Sequence, residues 1–86
     1  MELFGAKLQY EAGMKYYKGS GQGYTKNRSK AFRLFKEAAE AGLDEAMLQL
    51  SKMYELGLGC EQNIDKCNEI INELSIDKEW FSSMKL

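Results

Sequence analysis

The sequence predicts an all-α fold of two helix-turn-helix repeats followed by a C-terminal capping helix. Apolar residues recur every three or four positions along four segments, which is the spacing of one helix face. The chain has no proline and eight glycines, so long helices are allowed and glycines are available to end them. A chain of 86 residues forms one domain at most, with a modest core.

Polar capping residues and glycines give each of these segments its expected ends. Asn27 and Asn63 precede apolar stripes and can cap the first turn of a helix. Gly42 and Gly57 follow such stripes, where a left-handed glycine commonly ends a helix. The expected helices run, in chain order, from about Leu3 to Tyr17, Asn27 to Gly42, Asp44 to Gly57 and Asn63 to Leu74.

The chain repeats its own pattern after 38 positions. Residues 13–21 and 51–59 share the frame small-x-x-Tyr-x-x-Gly-x-Gly. The match resumes at Asn27 and Asn63, so the loop of the first unit is two residues longer. We therefore expect a single domain, 1–86, with repeats at about 6–43 and 44–76 and a cap at about 77–86.

These residues resemble the Sel-one-like repeat, a relative of the tetratricopeptide repeat. Leu34 departs from the family pattern at a tryptophan position, and Cys60 and Cys67 replace valine and alanine. The resemblance implies a short right-handed α-solenoid that acts as a non-catalytic scaffold or adaptor for a protein or peptide. The matching residues are Gly13, Tyr16, Gly19, Gly21, Lys30, Ala31, Ala38, Ala39 and Gly42 in the first unit, and Ala46, Leu50, Tyr54, Gly57, Gly59 and Lys66 in the second.

The absence of histidine from the sequence argues against an enzyme. A Ser-His or Cys-His nucleophile pair cannot be assembled within this chain, and we expect no cofactor. Cys60 and Cys67 fall short of the four ligands of a zinc site, so no metal is expected. With no secretory signal and no apolar run of about 20 residues, we expect a cytoplasmic protein with free thiols. A disulfide between the two cysteines is the alternative for an exported domain.

The first helix suggests a docking surface for a protein or peptide. On a helical wheel, Leu8, Ala12, Gly13 and Tyr16 form the expected core stripe. Tyrosine and methionine side chains lie nearly opposite, and both residue types are favoured at contact surfaces. The alternative is that the first four residues, or the other subunit of a homodimer, cover this row. The predicted partner-binding residues are Tyr10, Met14, Tyr17, Leu48 and Lys52.

Charge suggests a second surface, which suits an anionic partner. Residues 12–36 carry seven basic and no acidic side chains, whereas residues 37–86 carry eleven acids and four lysines. The alternative function is a small inhibitor or accessory factor of a nucleic-acid-acting complex that uses the basic block 15–36. Head-to-tail self-association through the opposite charges is also open. The candidate anion-binding residues are Lys15, Lys18, Lys26, Arg28, Lys30 and Arg33.

Two further motifs have a structural and a functional interpretation. Asp77 can cap a short helix whose Trp80, Phe81 and Met84 pack onto the last repeat. The alternative is that Trp80 and Phe81 form a free binding motif. The glycine-rich loop 19–23 lies between two helices and lacks the Lys-Ser/Thr ending of a phosphate-binding loop, which argues against phosphate binding there.

Overall fold

The computed structural model describes residues 3–19, 21 and 23–84, which fold into two helix-turn-helix pairs and a short final helix. The predicted all-α fold is confirmed, and no strand occurs in these ranges. The expectations for Ser20, Gln22 and the first two and last two residues lie outside the described residues. The helices are α1 (Phe4–Lys18), α2 (Arg28–Glu40), α3 (Asp44–Leu56), α4 (Ile64–Leu74) and α5 (Lys78–Ser83).

The two repeats use the same capping residues at the same positions. The side chains of Asn27 and Asn63 each accept a hydrogen bond of 3.0 Å from the backbone N–H three residues later. These bonds satisfy a donor that the first helical turn leaves free. At the other end, α1 and α3 stop at Gly19 and Gly57, both in the left-handed conformation. These capping positions therefore have the same structural role in both repeats.

The first helix of each repeat has two flanks that contact different neighbours. In α3 the leading flank, residues 46, 50 and 54, faces the preceding repeat, where the ring of Tyr54 meets Phe32 of α2 edge-on at 5.4 Å. The trailing flank of α3, residues 48, 52 and 55, faces α5, and Lys52 contacts Phe81 there. The corresponding flanks of α1 are residues 8, 12 and 16 (leading) and 10, 14 and 17 (trailing).

Gly59 allows the loop of the second repeat to lie directly on the start of α2. A Cβ atom at this position would lie 2.5 Å from the carbonyl carbon of Arg28 and 3.1 Å from the backbone nitrogen of Ser29. No side chain larger than hydrogen fits so close to another backbone. Gly21 is the equivalent glycine of the first repeat, and its nearest neighbour would be the Tyr24 ring at 3.7 Å. The tight approach is therefore specific to the contact between repeats.

The predicted C-terminal cap packs onto the second repeat through two of its three expected residues. Phe81 is 2% exposed and joins the cluster of Leu50, Cys67 and Ile71, and Met84 packs against the same cluster. Trp80 is 52% exposed, so the expectation that it packs there is wrong. A helix of six residues buries only a narrow stripe, and the Trp80 position lies outside it.

Lys52 attaches this cap to α3. Its ammonium group donates a hydrogen bond of 3.1 Å to the carbonyl of Phe81, lies 4.6 Å from the centre of that ring and pairs with Glu55 at 2.8 Å. Lys52 is 4% exposed, because its aliphatic stem is buried while its charge is satisfied by these groups. The expectation that Lys52 lies on an open docking surface is therefore wrong.

We expect Gly59→Ala to destabilise the chain much more than Gly21→Ala. Both glycines have a positive φ, +71° and +88°, so each substitution carries a backbone cost of about 1 to 2 kcal/mol. Only at Gly59 must the two repeats also separate, which should raise the loss to at least about 3 kcal/mol. Urea denaturation of both variants measures the difference. Equal losses would contradict the close approach.

We expect Lys52→Met to weaken the attachment of α5 while leaving the packing of the lysine stem in place. Methionine is the residue at the matching position of the first repeat, Met14. Loss of the bond to the Phe81 carbonyl should cost about 1 to 2 kcal/mol and speed hydrogen exchange of the α5 amides. Lys66→Met, at an exposed lysine on α4, is the control. Unchanged exchange in α5 would count against the role of Lys52.

Candidate docking surfaces

The apolar row predicted on the trailing flank of α1 is largely a contact between helices. Tyr10, Met14 and Tyr17 are half-buried and pack against a cluster that includes Phe35 of α2 and Met53 of α3. The rings of Tyr10 and Phe35 lie 5.7 Å apart. On the trailing flank of α3, Leu48 is half-buried and packs against the cluster that holds Phe81. A role for these residues in binding stays a prediction, but their row is not an open face.

The leading flank of α1 carries apolar side chains that the structure leaves accessible. Leu8 is 53% exposed and Phe4, one turn before it, is 66% exposed. Ala12 and Tyr16 are half-buried. The expectation that Leu8 belongs to the core is therefore wrong. Its counterpart in the second repeat, Ala46, is fully buried, because α2 covers that flank.

The second helix of each repeat lines a concave surface, α4 in the second repeat and α2 in the first. In the second repeat a groove of about 350 Å³ runs between α2 and α4, with Leu50 and Tyr54 of α3 among its lining residues. Its α4 wall consists of Lys66, Glu69, Ile70 and Glu73. The equivalent residues of α2 line a smaller depression of about 280 Å³ and are Lys30, Arg33, Leu34 and Glu37.

These two parts form one surface, which we call the head face. Its residues occupy the repeat positions at which α3 and α4 of the second repeat face the neighbouring helix α2. The head face is therefore a half-groove that lacks a second wall among the described residues. It consists of Leu8, Ala12 and Tyr16 of α1 with Lys30, Arg33, Leu34 and Glu37 of α2.

Part of the basic block lies on the head face, namely Lys30 and Arg33. All six candidate anion-binding residues are exposed, and in ranges 3–19, 21 and 23–84 none of them forms a salt bridge. Three of them lie over tyrosine rings, which holds their charges in place. The pairs are Lys15 with Tyr24 at 5.1 Å, Arg28 with Tyr17 at 5.2 Å and Lys30 with Tyr16 at 4.6 Å from the ring centre.

Tyr16 shows what replaces the missing neighbour. Its counterpart Tyr54 is 9% exposed and packs edge-on against Phe32. Tyr16 instead has Lys30 over its ring and meets Tyr24 of its own loop at 5.0 Å. The ring is thus held by a cation and an aromatic edge while part of it remains accessible.

Both cysteines are free thiols that lie within or beside the core. Cys67 is buried, and Cys60 is half-buried with its thiol 3.6 Å from the carbonyl oxygen of Met53. Burial raises the pKa of both thiols, and burial likewise raises the pKa of the Tyr54 hydroxyl. A raised pKa leaves little reactive thiolate at neutral pH, so these cysteines are suited to packing.

In the part of the chain that the structure describes, no three His, Cys, Asp or Glu residues cluster as metal ligands would. Within that same part, each helix is too short or too polar to cross a bilayer.

Comparison with known proteins gives the same fold. The chain is similar to a Sel1 repeat protein from Oxalobacter formigenes, whose crystal structure superposes with a TM-score of 0.74 at 24% identity. The alignment covers 86% of this chain and 56% of that one, so this chain spans about half the length of that protein. At this identity the likeness concerns the fold alone. No curated protein matches the chain.

The Sel1 repeat family matches two consecutive segments, residues 6–43 and 44–69. The first covers α1 from residue 6 onwards and all of α2, and the second begins with α3. Sel1 repeats are generally protein-interaction scaffolds, and they typically bind proteins. The resemblance inferred from the glycine and alanine positions is confirmed, since the matched segments make up most of the chain. This chain belongs to the Sel1 repeat family.

Proposed function

We propose that this chain is a non-catalytic scaffold that docks an acidic amphipathic helix of a protein partner on its head face. The proposal rests on a difference in solvent exposure between equivalent residues of the two repeats. Leu8 is 53% exposed, whereas its counterpart Ala46 is fully buried against a helix. Because the second repeat binds a helix at these positions, a helix is the ligand shape that the head face fits.

The charge around the head face supports an acidic partner. Lys30 and Arg33 lie on the head face itself, and Lys15 lies beside it on α1. Met53 is the counterpart of Lys15, and it is fully buried between the repeats. A ligand that packs on Leu8 and also neutralises these cations needs carboxylates beside its apolar stripe. Charges of this kind speed association and select the partner more than they add affinity.

Nucleic acid is the competing ligand class for the same basic surface. Stacking of bases needs open ring faces, and Tyr16, Tyr17 and Tyr24 each carry a cation over one face. The exposed Leu8 and Phe4 side chains offer apolar area that a phosphate backbone does not use. These features favour a protein helix. The two buried or half-buried free thiols suit the reducing cytoplasm, which we propose as the setting.

A peptide titration followed by ¹⁵N NMR tests the proposal. The peptide is a synthetic helix that keeps the α3-facing residues of α2, Phe32, Phe35 and Ala39, and carries alanine and glutamate elsewhere. We expect saturable shifts at Leu8, Ala12 and Tyr16. A matched peptide with lysine in place of glutamate should bind on the order of tenfold more weakly at low salt, which corresponds to about 1.4 kcal/mol.

The variant Leu8→Glu provides the control on the protein side. Leu8 is exposed, so the variant should fold normally, and it should lose binding of the acidic peptide. Absence of saturable shifts in the wild type would overturn the proposal. Shifts confined to Tyr10, Met14 and Tyr17 would favour the trailing flank instead. Binding of a single-stranded oligonucleotide that falls steeply with salt would favour the nucleic-acid alternative.

A further inference from the structure

The opposite end of the solenoid, formed by α4 and α5, also leaves apolar side chains open. Ile64 at the start of α4 is 47% exposed, and Trp80 of α5 is 52% exposed. The cap α5 has six residues, whereas α3 has thirteen, so α5 covers α4 over a shorter length than α3 covers α2. We call this surface, defined by Ile64 and Trp80, the tail face. Large apolar side chains left open at one end of a solenoid can contribute to a contact surface.

The charge of the tail end is opposite to that of the head end. Residues 61–84 carry six acidic side chains and two lysines, whereas residues 12–36 carry seven basic side chains and no acid. The six acids are Glu61, Asp65, Glu69, Glu73, Asp77 and Glu79. Glu69 and Glu73 line the groove between α2 and α4, whereas the other four lie before α4, in its first turn or at the start of α5. An acidic surface with an apolar centre is the chemistry that the head face requires.

The packing of α2 on α3 within one chain suggests how two copies of the chain could pack on each other. The second helix of the first repeat, α2, packs on the leading flank of α3 through pairs such as Phe32 and Tyr54. In the repeat pattern α4 is the counterpart of α2, and α1 is the counterpart of α3. The side of α4 that matches this contact is already partly covered by α5, because Ile71, the counterpart of Phe35, is buried with Phe81. A second copy would therefore meet the leading flank of α1 with α5 and with the part of α4 that α5 leaves open.

We propose that copies of this chain stack head to tail, with the tail face of one copy on the head face of the next. The inference rests on the proposed function of the head face and names a second copy as its occupant. In this arrangement Trp80 and Ile64 meet Leu8 and Phe4, while Asp65, Asp77 and Glu79 face the basic residues of the head face. Such a contact joins two different surfaces, so each added copy leaves a free head and a free tail. The apparent mass therefore rises with concentration unless a ring closes.

Two blocked variants test the stacking in solution by light scattering on a size-exclusion column. Leu8→Glu blocks the head face, and the double change Ile64→Lys with Trp80→Lys blocks the tail face. All three residues are about half exposed, so the variants should fold, and circular dichroism verifies it. We expect each variant alone to be monomeric. An equimolar mixture should form a species of twice the single-chain mass, because one free head and one free tail remain.

Leu56→Glu is the matched control for an exposed apolar residue. Leu56 is 52% exposed and lies between the two flanks of α3 on a helical wheel, so this variant should associate like the wild type. The wild type should dissociate in high salt, since screening weakens the attraction between the charged ends. Self-association that persists in the Leu8→Glu variant, or a mixture that stays monomeric, would overturn the stacking.

The peptide titration separates failure of this inference from failure of the proposed function. A wild type that binds the acidic helical peptide but stays monomeric at the highest soluble concentration would overturn the stacking and leave the proposed function standing. A wild type that neither binds the peptide nor associates would overturn both. Displacement of the second copy by the peptide would support both, because the two ligands would share the head face.

Discussion

The backbone contact between Gly59 and the start of α2 is the constraint on which the arrangement of the two repeats depends. Because the loop of the second repeat can approach to backbone distance, the neighbouring Leu58 and Cys60 reach the cluster of Phe35 and Met53. The same approach brings Tyr54 against Phe32. A larger residue at position 59 would hold the repeats apart and open these contacts together. One glycine thus fixes the register of the solenoid.

In this arrangement, both flanks of a repeat's first helix are covered when that helix has a neighbour on each side. In α3 both flanks are used, the leading one by α2 and the trailing one by α5 through Lys52 and Leu48. In α1 the trailing flank packs against its neighbours, but Leu8 on the leading flank stays exposed. The two ends of the solenoid therefore differ. The tail is partly closed by a short helix, whereas the head presents a half-groove with no second wall among residues 3–19, 21 and 23–84.

The sequence was sufficient to predict the helices and the repeat. Capping by Asn27 and Asn63 and termination at Gly57 are local effects, so they can be inferred from short stretches of sequence. The partner of each helix flank is not local. A helical wheel separates the two flanks of α1, but it does not indicate which flank has a neighbour, and for this reason Leu8 and Tyr10 were assigned to the opposite sides.

Lys52 and Trp80 illustrate the same difficulty at the other end of the chain. The burial of Lys52 depends on a carbonyl of α5 that lies 29 residues away in sequence. No pattern near Lys52 indicates that partner, although its methionine counterpart in the first repeat shows that an apolar stem suits the position. Trp80 and Phe81 are adjacent apolar residues in a helix, so they point in different directions, and a six-residue helix can bury only one of them.

The basic residues of the head face favour a docking surface for a partner over a core face that lacks its packing neighbour. If the leading flank of α1 served only to pack another repeat, an apolar residue like Met53 would be expected at position 15, and Lys15 stands there instead. Tyr16 likewise retains the ring of Tyr54 but has a cation in place of the Phe32 edge. With these differences the head face keeps a shape that fits a helix, but its charge is positive. Cations held over aromatic rings are already ordered, so an acidic helix would lose less side-chain entropy on binding them. The head face is therefore suited to a ligand that is helical in shape and acidic in charge.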